Sequence, residues 1–389
     1  MIVPLEDIKF VFNESLMQPG DILLVNTYDS QRNRMPGCKY DHAAIYLGDA
    51  FLIEADGYGV VMNHIYSYAF KEAEHGCVLR PKVFNHRMSE EVVYWARGRM
   101  AMEFGALQAR KVINFRDTEE RDKSNRTFCS RLVAQAYHQA GIDIVRNPDF
   151  CSPDDIFGSD VLKVVEPSLL LFTDEMTMTV MNGQKDRNKS EWSTVLPDMF
   201  MALGHLYDED IQTMDQLFVA AVKNTDMDDK ALEVLSTQKW MTHPEKQTEM
   251  QWPWFNDDEK FFAHFSTTKD VMFFLNNQFL HYDKTYLPIF RENAMNTYLG
   301  SKLRKDSKVI KALADQFKAV LDEGIRVRKR LADLYLDTFT RDTKGFLAFC
   351  EKYGHNSKFE YQEGIIDLSR TIKALIEYGP VNLGDYLKD

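Results

Sequence analysis

The chain has no CxxC pair and only five cysteines, Cys38, Cys77, Cys129, Cys151 and Cys350. An odd and scattered set indicates neither a disulfide framework nor a structural zinc site, and a reducing compartment suits it best. Also missing is any run near the roughly 18 apolar residues of a membrane span. The opening stretch, "MIVPLEDIKF", lacks the basic and apolar regions of a secretory signal. A cytoplasmic location is therefore expected, although export that needs no cleavable signal would leave the same sequence. Positive charge is in short supply: 47 Lys and Arg stand against 59 Asp and Glu, a net charge of -12. That balance opposes nonspecific attraction to nucleic acid or anionic lipid, and no nucleic-acid signature occurs. There is no Walker loop, no GxGxxG and no internal repeat, and no cofactor is expected.

What is present suits an ordinary soluble protein of more than one domain. At 389 residues with 44% hydrophobic side chains, the chain can fill two or three cores. Short β-like runs come first. "GDILLVNT" (20–27) and "HAAIYLG" (42–48) read as strands separated by a polar loop with Pro-Gly. "AFLIEADGYGVVMNHI" (50–65) reads as two strands around Asp56-Gly57, and "CVLRPK" (77–82) as another. Helices follow: "SEEVVYWARGRMA" (89–101), with Ser89 as its expected cap, and "RTFCSRLVAQAYHQAGI" (126–142). Strands grouped before helices, without βαβ alternation, predict an α+β domain ending near residue 168. A connecting segment over 169–192 and a mainly α-helical region over 193–389 come next. The longest expected helix runs from Ser307 to about Thr340. Its apolar residues, from Ile310 to Leu334, recur at alternating intervals of three and four. A bundle helix fits better than a coiled coil, because Gly324 falls in the seam. The aromatic stretch "WMTHPEKQTEMQWPWF" (240–255) is broken by proline and is expected to pack between helices.

Chemistry centres on Cys129. Leu132, Val133, Ala136, Tyr137 and Ala140 form one apolar face, and Gly141 supplies a stop. Cys129 therefore lies at or near a helix N-terminus. Free backbone N–H groups and the dipole favour thiolate there. A small apolar residue packed under the helix is the competing reading. A nucleophilic cysteine needs a base and a group that orients the base. His42 opens a compact strand directly after a loop, with Ala44 and Tyr46 on its own face and Ala43, Ile45 and Leu47 on the other. If this strand pairs with the next about Asp49, Glu54 lies opposite Ala44 and diagonal to His42. Asp56, then opposite His42, is the rival orienter. His64, His75 and His86 also compete for the role of base. His138 is nine residues downstream on the cysteine helix and cannot reach the thiol.

The ordered blocks "PGDILL" (19–24), "DHAAIYLGD" (41–49), "FLIEADGYGVV" (51–61), "TFCSRLVAQAYHQAGI" and "CSPDDIFGSDVLKVVEP" (151–167) resemble the NlpC-type papain-like cysteine hydrolases. The likeness is to their circularly permuted branch of YiiX-like and YebB-like proteins, in which the histidine precedes the cysteine. It covers about residues 17–168 and implies a papain-like antiparallel sheet with packed helices. It also implies Cys129 as nucleophile, His42 as base and acid and Glu54 as orienter. The oxyanion would be received by the backbone N–H groups of Cys129 and Ser130. The implied reaction is acyl transfer through a thioester on an amide bond of a peptide-like substrate, such as a cell-wall peptide. The alternatives are a lipid ester or thioester hydrolase or acyltransferase, and an effector, defence or binding protein whose helical region holds a protein partner. No metal is required.

Overall fold

A computed structural model describes residues 3–27, 38–48, 50–57, 59–173, 176, 180, 195–280, 300–301 and 307–353. The polar stretch 182–192 and most of the loop before His42 lie outside the described residues. The chain divides into two compact units, 1–220 and 221–389.

The first unit is built on β1 (Phe10–Phe12), β2 (Ile22–Val25), β3 (His42–Gly48), β4 (Phe51–Asp56), β5 (Gly59–His64), β6 (Gly76–Pro81), β7 (Leu162–Val164) and β8 (Leu169–Leu171). Six of these form an antiparallel sheet in the order β5-β4-β3-β2-β6-β7, while β1 pairs with β8 apart from it. Register is set by hairpins, with Val25 opposite His42, Ala44 opposite Glu54 and Leu52 opposite Asn63. Alternation divides the sheet into two faces. Ala43, Ile45, Leu47, Ile53 and Ala55 point to one face. There they pack under α1 (His86–Arg97) and α3 (Cys129–Gln139), against Val92, Val93, Ala96, Leu132, Val133 and Tyr137. Leu23, Ala44, Tyr46 and Leu52 point to the other and are covered by Phe12, Ile65, Tyr68 and Phe70. Each Ile, Leu or Phe among them withdrawn from water contributes about 1.5–3 kcal/mol, so a one-residue slip that reversed the faces would be heavily disfavoured.

Three local differences from the sequence reading have physical causes. α1 starts at His86, a turn before Ser89, because the Asn85 side chain accepts from the Met88 N–H and caps it. Ser89 is buried inside the helix and donates its hydroxyl to the Pro19 carbonyl. The charged segment after residue 104 carries a further helix, α2 (Ala106–Phe115). The first unit also extends past residue 168 to include α5 (Val195–Tyr207), after the short α4 (Pro153–Phe157). Arg126 pairs with Asp210 at 3.2 Å, Asn125 donates to the Asp210 carbonyl, and the Glu103 N–H donates to Gln212. Those bonds tie residues 210–212 to the charged segment.

α6 (Met214–Lys223) crosses the division between the units. The second unit contains α7 (Asp228–Ser236), α8 (Pro244–Gln251), α9 (Asp258–His264), α10 (Thr268–Leu280), α11 (Lys308–Arg341) and α12 (Thr343–Tyr353). α11 is the long helix expected from the apolar spacing. Ser307 caps it, and Ile310, Leu313, Phe317, Val320, Val327, Leu331 and Leu334 are all buried. It packs against α7, α10 and α12 of its own unit, as a bundle helix does. Trp252, Phe255, Phe261 and Leu275 meet Val327 and Leu331 in one core, so the aromatic stretch is part of the packing.

Candidate active site

Cys129 is the first residue of α3, with Phe128 in the N-cap position. The expected helix start is therefore where the chain places it. α3 lies on one sheet face through Leu132 and Val133, and its N-terminus carries the thiol to the beginning of β3. His42 is the first residue of that strand and is buried. Its Nε2 is hydrogen-bonded to Glu54 Oε2, which leaves Nδ1 as the ring nitrogen for proton exchange with the thiol. Glu54 is fully buried and reaches His42 diagonally across the β3–β4 pair, as the register requires. Asp56 lines the same cavity, but the imidazole bond goes to Glu54.

Other histidines have other partners. His138 lies 2.6 Å from Asp143 on the exposed side of α3, and His86 lies 3.3 Å from Glu90. His64 accepts from the Tyr66 N–H and stacks on that ring, while His75 lies 3.8 Å from Glu72. Only His42 joins the thiol among the described histidines that competed for the base role.

Electrostatics couple the site. Burial presses the His42 pKa down, but the Glu54 carboxylate and then the Cys129 sulfur lift it from 6.5 to about 9. Burial pushes the Cys129 thiol up. The His42 charge and hydrogen bond, helped by the backbone N–H groups of Ala43 and Ser130, outweigh it and lower the thiol below its ordinary value. An imidazolium beside a thiolate is the form favoured by both shifts. Neighbouring Cys151 is different: burial holds its thiol well above the ordinary value, so it stays protonated.

The thiol opens into a cavity of about 630 Å³. His42, Asp41, Ala55 and Asp56 form its sheet side, Cys129, Ser130 and Cys151 its floor, and Phe104, Ala106, Ala109, Arg110, Val112 and Ile113 the wall. Thus the charged segment after residue 104 shapes the entrance. Cys38 and Tyr40 border the cavity as well, and the Lys39 and Tyr40 N–H groups donate to Asp154 at 2.7 and 2.9 Å. A capping box between Ser152 and Asp155 fixes the turn that presents Asp154. This is the structural use of "CSPDD": it anchors the residues leading into β3. Ser130 Oγ donates to the Cys151 carbonyl at 2.6 Å and ties the α3 N-terminus to the same turn.

Two residues that the sequence reading passed over complete the surroundings of Glu54. Asn63 Nδ2 donates to Oε1 at 2.5 Å, and the Tyr68 hydroxyl donates to Oε2. Strand register could have found Asn63, which stands opposite Leu52 on the Glu54 face of the sheet. Tyr68 follows a 3-10 turn at Ile65–Ser67, and no periodicity points to it.

Residues 16–207 match the family model of the permuted papain-like amidase enzymes, YaeF/YiiX, C92 family. No curated protein and no solved structure matches the chain.

Proposed function

We propose that the N-terminal region, a permuted papain-like amidase domain, cleaves an amide bond of a peptide-like substrate through a thioester on Cys129. The observation that supports this most directly is the His42 ring held between the Glu54 carboxylate and the Cys129 thiol at the floor of an open cavity. In the resting pair the proton is on His42. Cys129 Sγ attacks the carbonyl carbon, and the carbonyl oxygen becomes an oxyanion at the α3 N-terminus, near the N–H groups of Cys129 and Ser130. The C–N bond breaks as His42 Nδ1 gives its proton to the departing amine. Water then attacks the thioester while His42 takes its proton, the C–S bond breaks, and the carboxylic acid leaves. Glu54 holds the ring in place and stabilises its charge throughout.

A second reading, cleavage or transfer of a fatty acyl group, draws support from the apolar wall of Phe104, Ala109, Val112, Ile113 and Phe128. The decisive experiment offers peptide amides and acyl esters to the protein and to Cys129→Ala, then locates any acyl adduct by peptide mass. Turnover of amides with an adduct on Cys129, lost in Cys129→Ala, is the expected result. Turnover of esters alone would favour the second reading. Activity undiminished in Cys129→Ala would overturn both.

A further inference from the structure

We infer that Tyr68 and Asn63 are positioning residues, which act through Glu54 to keep its carboxylate ionised and aimed at His42. The inference rests on the reading of Cys129 and His42 as a reactive pair. Three donors converge on one buried carboxyl: His42 Nε2 and the Tyr68 hydroxyl on Oε2, and Asn63 Nδ2 on Oε1. The hydroxyl and the amide spend protons of their own, so Glu54 acts as acceptor, and donors to the ionised form favour that form. A buried carboxyl without them would tend to take a proton and lose its hold on the imidazolium. Tyr68 also fixes direction. It is buried beside Leu52 and Ala44, its ring lies 6.0 Å from that of His42, and its hydroxyl reaches the same carboxylate oxygen as the imidazole.

Other charged or titratable groups near the pair differ in position. Cys129 faces His42 from α3; Asp41, Asp56 and Arg110 border the cavity, with Asp56 two residues beyond Glu54 on the same strand. Glu14, reached by the hydroxyls of Tyr46 and Tyr66, is a separate carboxylate site. A buried tyrosine needs an acceptor in any case. What separates a positioning role from a merely structural one is whether losing the hydroxyl changes the titration of a thiol on another element.

The test is the pH dependence of Cys129 alkylation by iodoacetamide in the full chain, with the adduct located by peptide mass. Wild type, Tyr68→Phe, Asn63→Ala, Glu54→Gln and Tyr68→Phe/Glu54→Gln are compared. In Tyr68→Phe the acid limb should move up by about one pH unit, a roughly tenfold slower reaction near pH 6, as expected for losing a donor to a charged acceptor. Asn63→Ala should move it in the same direction. Because both act through Glu54, Tyr68→Phe should add no further shift in the Glu54→Gln background. A Tyr68→Phe profile superimposed on wild type, or an undiminished shift in the Glu54→Gln background, would overturn the inference while leaving an activated Cys129 intact. An ordinary thiol profile in wild type would instead overturn the reactive pair and this inference with it. If Tyr68→Phe does not fold, Asn63→Ala decides: an unmoved acid limb there refutes the role.

Discussion

Replacing Glu54 by glutamine in a Cys129→Ala background should reverse the pH dependence of the stability of the first unit. His42 in the native protein is lifted from 6.5 to about 9, against burial, by Glu54 and then Cys129. A raised native pKa means that the imidazolium is bound more tightly in the folded state. The resulting stability is fully present below about pH 6.5 and is lost as pH climbs through about 9. The whole rise corresponds to about 3 kcal/mol. With Cys129 replaced, Glu54 remains as the leading charge that lifts His42, so stability should still fall as pH rises. Glu54→Gln removes that charge and leaves burial, which favours neutral imidazole. His42 should then titrate below its unfolded value, and stability should fall as pH drops instead of as it rises. Hydrogen exchange of β2–β4 amides, corrected for the intrinsic pH dependence of exchange, reads this within the sheet itself. The buried thiol of Cys151 contributes equally to both backgrounds and cancels in the comparison. Parallel stability curves with and without the Glu54 charge would refute the pairing of His42 with an ionised Glu54.

Three further changes probe the scaffold. Arg80 Nε lies 2.7 Å from the fully buried Asp21 carboxylate, so Arg80→Ala should strand a charge and cost about 3 kcal/mol in unfolding experiments; Arg80→Leu with Asp21→Asn should recover part of that loss. Gly59 has φ +110° and its missing Cβ would stand 2.6 Å from the Met102 carbonyl oxygen. Gly59→Ala should therefore destabilise the first unit by about 2 kcal/mol, visible as a lowered melting temperature, whereas Gly57→Ala, where nothing crowds the site, should be nearly silent. In the second unit Asp228 accepts from the Lys308 N–H at the start of α11; Asp228→Ala should cost about 1 kcal/mol and fray that end, measurable by exchange of the Val309 and Ile310 amides.

Legibility in the sequence followed the range over which each signal acts. Strand β3 and helix α11 were readable because apolar spacing and a capping residue are local, and the burial of Ala43, Ile45 and Leu47 opposite Ala44 and Tyr46 is alternation itself. Glu54 could be placed against His42 because a short hairpin converts sequence distance into register. Choosing Glu54 over Asp56 needed the family resemblance, since both carboxylates lie on the same strand. Tyr68 and the α2 wall were out of reach. Their positions depend on a 3-10 turn and on a charged segment folding across the cavity, and neither leaves a period in the residues concerned. The α1 start was misplaced by a turn because Asn85 and Ser89 are both good caps, and tertiary burial of Ser89 decided between them.

Histidine before cysteine in the chain has no consequence for the proposed chemistry, and the fold explains why. The geometry of the proposed site depends on three placements: the first residue of β3, the first residue of α3, and a β4 residue diagonal to the first. Sheet pairing fixes the first against the third, and packing of α3 on the Ala43–Ile45 face fixes the second. Neither constraint refers to which segment is made first. The two sheet faces then divide the work. The thiol arrives with the helix on one face, while Glu54, Asn63 and Tyr68 support the imidazole from the other, so the ring at the strand's end is held from both sides. Changes in the helical face should therefore move the thiol relative to the base, and changes in the opposite face should alter the base itself. The Val133→Ala substitution, for example, should lower alkylation of Cys129 by loosening α3 without shifting the acid limb of its pH profile. A shifted limb in that variant would show that the two faces are not independent.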